Sequence, residues 1–158
     1  MSQHRNRGAV FIVGGVVITI FSFFALYVVP KIFEPPTKLY IGSGVFDTKL
    51  ALNTSSREKG LAGVNQLASD EALLMVFERE SHWGIWMKDM KFPIDIVWLD
   101  ETKKVVHIVK NASPEASTGK TFMPSKPARY VLELPAGTVD SRTINLNSLA
   151  IFQIDEAK

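Results

Sequence analysis

Residues 83–99 read WGIWMKDMKFPIDIVWL. Two apolar stretches flank Lys91, Phe92 and Pro93, and a proline, with its fixed φ and missing N–H, is out of place inside a central strand. The segment therefore predicts two strands, 83–90 and 94–99, joined by a proline-containing bend. In the second, Ile94, Ile96 and Trp98 alternate with Asp95, Val97 and Leu99, the two-residue period of a pleated chain.

The same reading extends outward. Residues 45–52 place Phe46, Leu50 and Leu52 on one face and Asp47, Lys49 and Ala51 on the other, as in a half-buried strand. Residues 72–77, ALLMVF, form a continuous apolar run of strand length and fit a central strand covered on both sides. Further strands are predicted at 104–109, 130–134 and 149–154, with a turn at 135–138 and a long polar loop at 111–127. Ser55, Ser56, Arg57 and Glu58 have the S-x-x-E form of a capping box, so a short helix is expected to start there and end near Gly60 or Gly63. Six or seven short strands with one short helix make the domain mainly β, a sandwich or a barrel.

Residues 8–29, GAVFIVGGVVITIFSFFALYVV, contain no charge. At a rise of 1.5 Å per residue they span roughly 33 Å, the thickness of a bilayer's hydrocarbon. The run exceeds the apolar region of a secretory signal and ends without a small-x-small cleavage pattern, so an uncleaved transmembrane anchor is expected. Arg5 and Arg7 precede it closely while Lys31 is offset by Glu34, which puts residues 1–7 in the cytoplasm and the rest outside. Residues 30–41 begin PKIFEPPTK and read as a proline-rich stalk. The extracytoplasmic domain is expected over 42–158.

The formal net charge is +2, of which residues 1–41 carry +3 and the remainder −1. The surplus lies beside the membrane stretch, and no basic stripe marks a nucleic-acid partner. With no cysteine, disulfides, thiolate ligands and a cysteine nucleophile are excluded. The histidines, His4, His82 and His107, lack metal-ligand spacing. No phosphate-binding loop or nucleophile elbow is present, and no cofactor is expected.

Residues 86–100, WMKDMKFPIDIVWLD, resemble the central signature of the family known as domain of unknown function 192. Residues 57–61, REKGL, look like its early R/K-G-L element, and residues 127–137, PARYVLELPAG, are similar to its late A-R-Y-x-L-E-L-P-A-G element. The chain departs from the family pattern after Leu61 and at residues 145–148. The resemblance implies a compact β-sandwich of jelly-roll type, often behind a signal or anchor, and no established activity.

Candidate functional residues concentrate at His82, Trp83, Trp86, Lys88, Asp89, Lys91 and Asp95, where aromatics interleave with both signs of charge. Structural roles compete for each: tryptophans in strands also build cores, and Lys88 can pair with Asp95 across a hairpin. Asp95, between two isoleucines, must be exposed or held by a partner such as Lys88, Lys91 or Arg129. Arg129 and Glu133 share strand parity, giving a polar face of Arg129, Val131 and Glu133 opposite a core face of Tyr130, Leu132 and Leu134. The leading expectation is a non-catalytic, membrane-tethered module that binds a small molecule, a glycan or an envelope protein. The alternative is an enzyme acting on envelope polysaccharide with Asp89 and Asp95 as paired carboxylates, and a structural subunit of an envelope complex is a third.

Overall fold

The structure, a computed structural model, describes residues 37–115 and 119–154. The chain divides into two units, Met1–Pro35 and Pro36–Lys158, and the described residues belong to the second. The strands are β1 (Thr37–Ile41), β2 (Gly44–Ala51), β3 (Glu71–Ser81), β4 (Ile85–Trp86), β5 (Ile94–Leu99), β6 (Val105–Ala112), β7 (Thr121–Phe122) and β8 (Ala128–Pro135). Two short helices are α1 (Thr54–Lys59) and α2 (Thr138–Ser141). Six strands form one sheet in the order β1-β2-β3-β8-β5-β6, and β4 and β7 form a separate pair. Among the described residues no helix is long and apolar enough to cross a membrane; the stretch 8–29 lies outside them.

The mainly β class with a short helix agrees with the sequence, but the jelly-roll sandwich does not. A jelly roll packs two antiparallel sheets of similar size. Here one mixed sheet holds six strands, and β2 and β3 run parallel. Parallel neighbours need a crossover rather than a tight turn, and residues 52–70, which contain α1, supply it. Thr37–Ile41, read as the end of the stalk, pairs antiparallel with β2 as the first strand.

The sheet's two edges are joined through the C-terminal segment. Tyr40 of β1 exchanges both backbone hydrogen bonds with Ile151, at 2.9 and 2.8 Å. On the other edge, Val105 exchanges bonds with Ser148 and Asn147, and Ala150 donates to the carbonyl of Lys103. Edge strands present unpaired amides and carbonyls, and this closure satisfies part of both rows.

Each face of the sheet carries its own core. Leu74, Val97, Leu132, Tyr130 and Phe46 pack on one face with Val139, Ile144 and Phe152 from the C-terminal region. Met75, Phe77, Ile96, Trp98 and Val131 pack on the other with Leu61 from the α1 region and Ile85 and Met87 from the β4 region. All six residues of β5 are consequently buried. That explains why the central runs are apolar at almost every position while still alternating in destination.

α1 forms where expected but two residues earlier than its predicted cap. Asn53 is the N-cap: its Oδ1 accepts from the Ser56 amide at 2.9 Å, and Ser56 Oγ accepts from the Asn53 amide at 3.1 Å. Asn is as good a cap as Ser, and the pair Asn53–Ser56 satisfies two of the first-turn donors.

Asp95 is the one charged residue of β5 and is 0% exposed. Its Oδ1 accepts from the Asn111 amide and its Oδ2 from the Val139 amide, both at 2.8 Å. One carboxylate thus ties β5 to the end of β6 and to the first turn of α2. Asparagine at this site would direct its NH₂ at a backbone N–H and leave one donor unsatisfied. Asp95→Asn is expected to lower the unfolding free energy by about 2–4 kcal/mol in urea denaturation. A loss below about 1 kcal/mol would show that the clamp contributes little.

Candidate functional site

A cleft of about 460 Å³ opens on the second face of the sheet, between α1 and the β4 region. Its lining includes Leu61, Met75, Phe77, Trp83, Ile85 and Met90 as walls, and Arg57, Glu58, Lys59, Glu78 and Lys88 as charged members. Glu133 of β8 also lines it and is 3% exposed.

Local chemistry fixes the walls. The rings of Phe77 and Trp83 stack at 4.2 Å, nearly parallel, and the Arg57 guanidinium lies over the Phe77 ring at 5.0 Å. Arg57 also donates through Nη1 to the carbonyls of Leu52, at 2.8 Å, and Val76, at 2.9 Å, binding α1 to β3. Trp98 Nε1 donates to the Trp83 carbonyl at 2.8 Å, so a buried indole of β5 holds the segment leading into β4. At the C-cap of α1, Gly60 has φ +49°, and a Cβ there would stand 3.3 Å from Met75 Cε and 3.7 Å from Glu133 Oε2. Glycine lets the chain turn in the left-handed region while leaving space beside the carboxyl.

Glu133 is the unusual group. Among the described residues its Oε2 has no hydrogen-bond partner, and the ion pairs, Lys38–Asp47 and Lys110–Asp140, do not include it. Burial pushes its carboxyl up to about 8, because removal from water penalises the charged form. At neutral pH it is mostly protonated.

The structure brings together some of the residues singled out from the sequence and separates others. Trp83, Trp86, Lys88 and Glu133 meet at the cleft, where Trp86 is 52% exposed with Lys88 Nζ over its ring at 5.7 Å. Asp89 is exposed, holds φ 57°, and accepts from the Gly63 amide through its carbonyl at 3.0 Å. Lys91 Nζ donates to Asn65 Oδ1 at 2.8 Å. His82 is exposed and outside the lining. Arg129 is also outside it, donating through Nε to the Phe77 carbonyl at 3.3 Å and lying over the Tyr130 ring at 5.6 Å.

Three expectations are corrected. Asp95 is held by backbone amides rather than by Lys88, Lys91 or Arg129, and it joins α2 on the face of the sheet opposite Glu133. Asp89 and Asp95 therefore cannot share a catalytic cleft. The face of Arg129, Val131 and Glu133 is not a solvated polar face, because the second core covers Val131 and Glu133. Arg57, Gly60, Met75 and Phe77 escaped attention as site residues, since only packing between distant segments assembles them. Among the described residues no three His, Cys, Asp or Glu side chains gather as a metal site.

The raised Glu133 group has a consequence for stability. Its folded value of about 8 exceeds the ordinary 4.5, so between those values the folded chain binds more protons than the unfolded one. Stability then falls as pH rises from about 4.5 to 8 and levels off above, by a few kcal/mol in total. Glu133→Gln is expected to raise the thermal midpoint at pH 8 and to change it little at pH 4.5. Equal effects at both pH values would refute the assignment.

The three stretches that carry the family resemblance, around residues 57–61, 86–100 and 127–137, contribute Arg57 to Leu61, then Trp86, Lys88 and Met90, and Glu133 to one cleft. Comparison with known proteins agrees with that resemblance. A UPF0127 protein of Thermococcus gammatolerans is 26% identical over 110 residues, covering 70% of this chain and 69% of its own length. The UPF0127 protein of Thermococcus kodakarensis is 29% identical over 91 residues, covering 58% of this chain and 55% of its own. A Sinorhizobium meliloti crystal structure, described as a candidate transcription regulator, superposes with a TM-score of 0.69 at 26% identity, over 73% of this chain and 92% of that one. A Novosphingobium aromaticivorans protein of unknown function superposes at 0.68 with 22% identity, over 72% of this chain and 83% of that one, and shares the fold. Residues 38–149 match DUF192, described as an uncharacterized ACR, and with most of the chain so matched the protein belongs to that family.

Proposed function

We propose that this domain is a binding module for a small molecule, taken up in the cleft between α1 and the β4 region with Glu133 at its floor. The observation that carries the reading is the buried carboxyl whose Oε2 has no partner among the described residues while lining an open cleft. Buried polar groups are almost always satisfied by protein or water, and an exception beside a cavity calls for a ligand or ordered solvent. A volume of about 460 Å³ falls in the range of small-molecule sites, and aromatic and aliphatic walls joined by charged groups can orient such a ligand. Trp83 and Trp86 offer ring surface to an aromatic body or a sugar face.

Binding is favoured over catalysis because the one pair of carboxylates suggested by the sequence lies on opposite sides of the fold. A small ligand is favoured over nucleic acid because both signs of charge mix around the cleft. The transcription-regulator description of the Sinorhizobium protein is therefore not carried over. We further propose that residues 8–29 tether the domain to the outer side of the cytoplasmic membrane, with residues 1–7 inside. The uncharged 22-residue run and the arginines before it support this.

A fragment set of neutral aromatics and monosaccharides, titrated against the ¹⁵N-labelled protein, is expected to shift the Gly60, Leu61 and Phe77 amides and the Trp83 and Trp86 indoles. Trp86→Ala, at a half-exposed position, should weaken such binding about three- to tenfold with the fold intact. Shifts confined to other surfaces would contradict the assignment. For location, the chain should resist alkaline carbonate extraction and be digested by protease added to spheroplasts. Release by carbonate, or protection until lysis, would reverse it.

A further inference from the structure

The cleft's interior limits what can be inserted. Its walls are apolar, and the charged lining residues are Arg57, Glu58 and Lys59 from the α1 region, Glu78 from β3, Lys88 after β4, and Glu133 from β8. Arg57 is committed to the Leu52 and Val76 carbonyls, to Thr54 Oγ1 at 3.3 Å, and to the Phe77 ring. Glu133 stands opposite Leu73 on β3 and Ile96 on β5, both apolar, and the space beside Gly60 opens next to its Oε2.

Three kinds of ligand end can meet that carboxyl. A cationic end requires the carboxylate, so a proton must leave and two charges must come out of water. That desolvation costs several kcal/mol per ion, and it is offset only where further hydrogen bonds satisfy the ammonium's remaining protons. The neighbours of Glu133, Leu73, Ile96 and Met75, supply none, and the other acidic lining residues, Glu58 and Glu78, are exposed at the rim. An anionic end can accept the proton of the neutral carboxyl, but its own negative charge is then buried among the apolar neighbours of Glu133. An uncharged hydroxyl or carboxamide loses its bonds to water and regains them from a protonated carboxyl, which donates through one oxygen and accepts through the other. The net gain is only about 0.5–1.5 kcal/mol, but no charge is buried, and this case wins.

Resting on the cleft as the binding site, we infer that its ligand is a largely apolar body that inserts an uncharged hydrogen-bonding end, a hydroxyl or carboxamide, against Glu133. Since burial holds this group protonated up to about pH 8, ionisation above that value replaces the donor with a buried charge. The complex then comes apart as pH rises.

Benzamide, benzamidinium and benzoate share one shape and differ in charge, and each keeps its charge from pH 6 to about 9.5 by ordinary solution values. Their affinities are measured by NMR on the full-length chain in detergent micelles. Benzamide is expected to bind at least about tenfold more tightly than either ion at pH 7, losing about tenfold per pH unit above about 8. Glu133→Gln should bind benzamide without that pH dependence. Preference for either ion, or a benzamide affinity flat to pH 9.5 in the unaltered chain, overturns the inference while leaving the cleft a binding site. No shift at the cleft with any of the three overturns it as well, and the fragment titration then decides separately whether the cleft binds anything. The pH series on the unaltered chain suffices if the variant fails to fold.

Discussion

The pairing of β5 with β8 at the middle of a sheet covered on both faces is the constraint from which the remaining features follow. Adjacent register pairs set Asp95 against Leu134 and Ile96 against Glu133, so neighbouring positions carry two carboxyl groups to opposite faces. Both are buried, and buried charge is tolerated only with partners. Asp95 receives one amide on each oxygen and becomes a joint between strands and helix. Glu133 receives nothing on Oε2 among the described residues, and burial pushes its carboxyl up to about 8. One carboxyl serves the fold, and the other lines the cleft.

The cleft around Glu133 exists because the second face is covered by separate pieces rather than by another sheet. α1 and its C-cap arrive from the crossover between parallel strands, and the β4–β7 pair is a short arm with its own backbone pairing. The Arg57, Phe77 and Trp83 stack and the Trp98 to Trp83 hydrogen bond hold these pieces against the sheet at fixed distance. Covers assembled from pieces leave gaps, and the glycine at position 60 keeps this gap open over the carboxyl. By contrast, the first face is closed by the C-terminal segment that links both sheet edges, and Phe152 packs there against Tyr130.

Much of the strand pattern was legible because β5, β3 and β8 are strongly apolar and punctuated by proline, glycine and acidic turns. The alternation of Ile94, Ile96 and Trp98 with Asp95, Val97 and Leu99 reports the two cores correctly. Whether neighbouring strands run parallel leaves no local mark, so the parallel β2–β3 pair and the six-stranded mixed sheet were out of reach; the strands left sandwich and barrel open, and the jelly-roll sandwich was implied by the family resemblance. Three prolines before Thr37 disguised β1 as stalk. The Glu133 parity was legible, but its burial was not, since Gly60 and Met75, which crowd it, lie more than fifty residues away in sequence. Asp95 suggested a cationic partner because side chains are visible in a sequence, whereas the amides of Asn111 and Val139 are carried by every residue but proline.

Titration of the Glu133 side-chain carboxyl carbon by ¹³C NMR tests the central claim most directly, with Glu133→Gln identifying the resonance. A midpoint near 8 is expected. A midpoint in the ordinary glutamate range, near 4.5, would mean that water or a cation reaches the carboxyl, and the protonated floor on which the binding site rests would be lost.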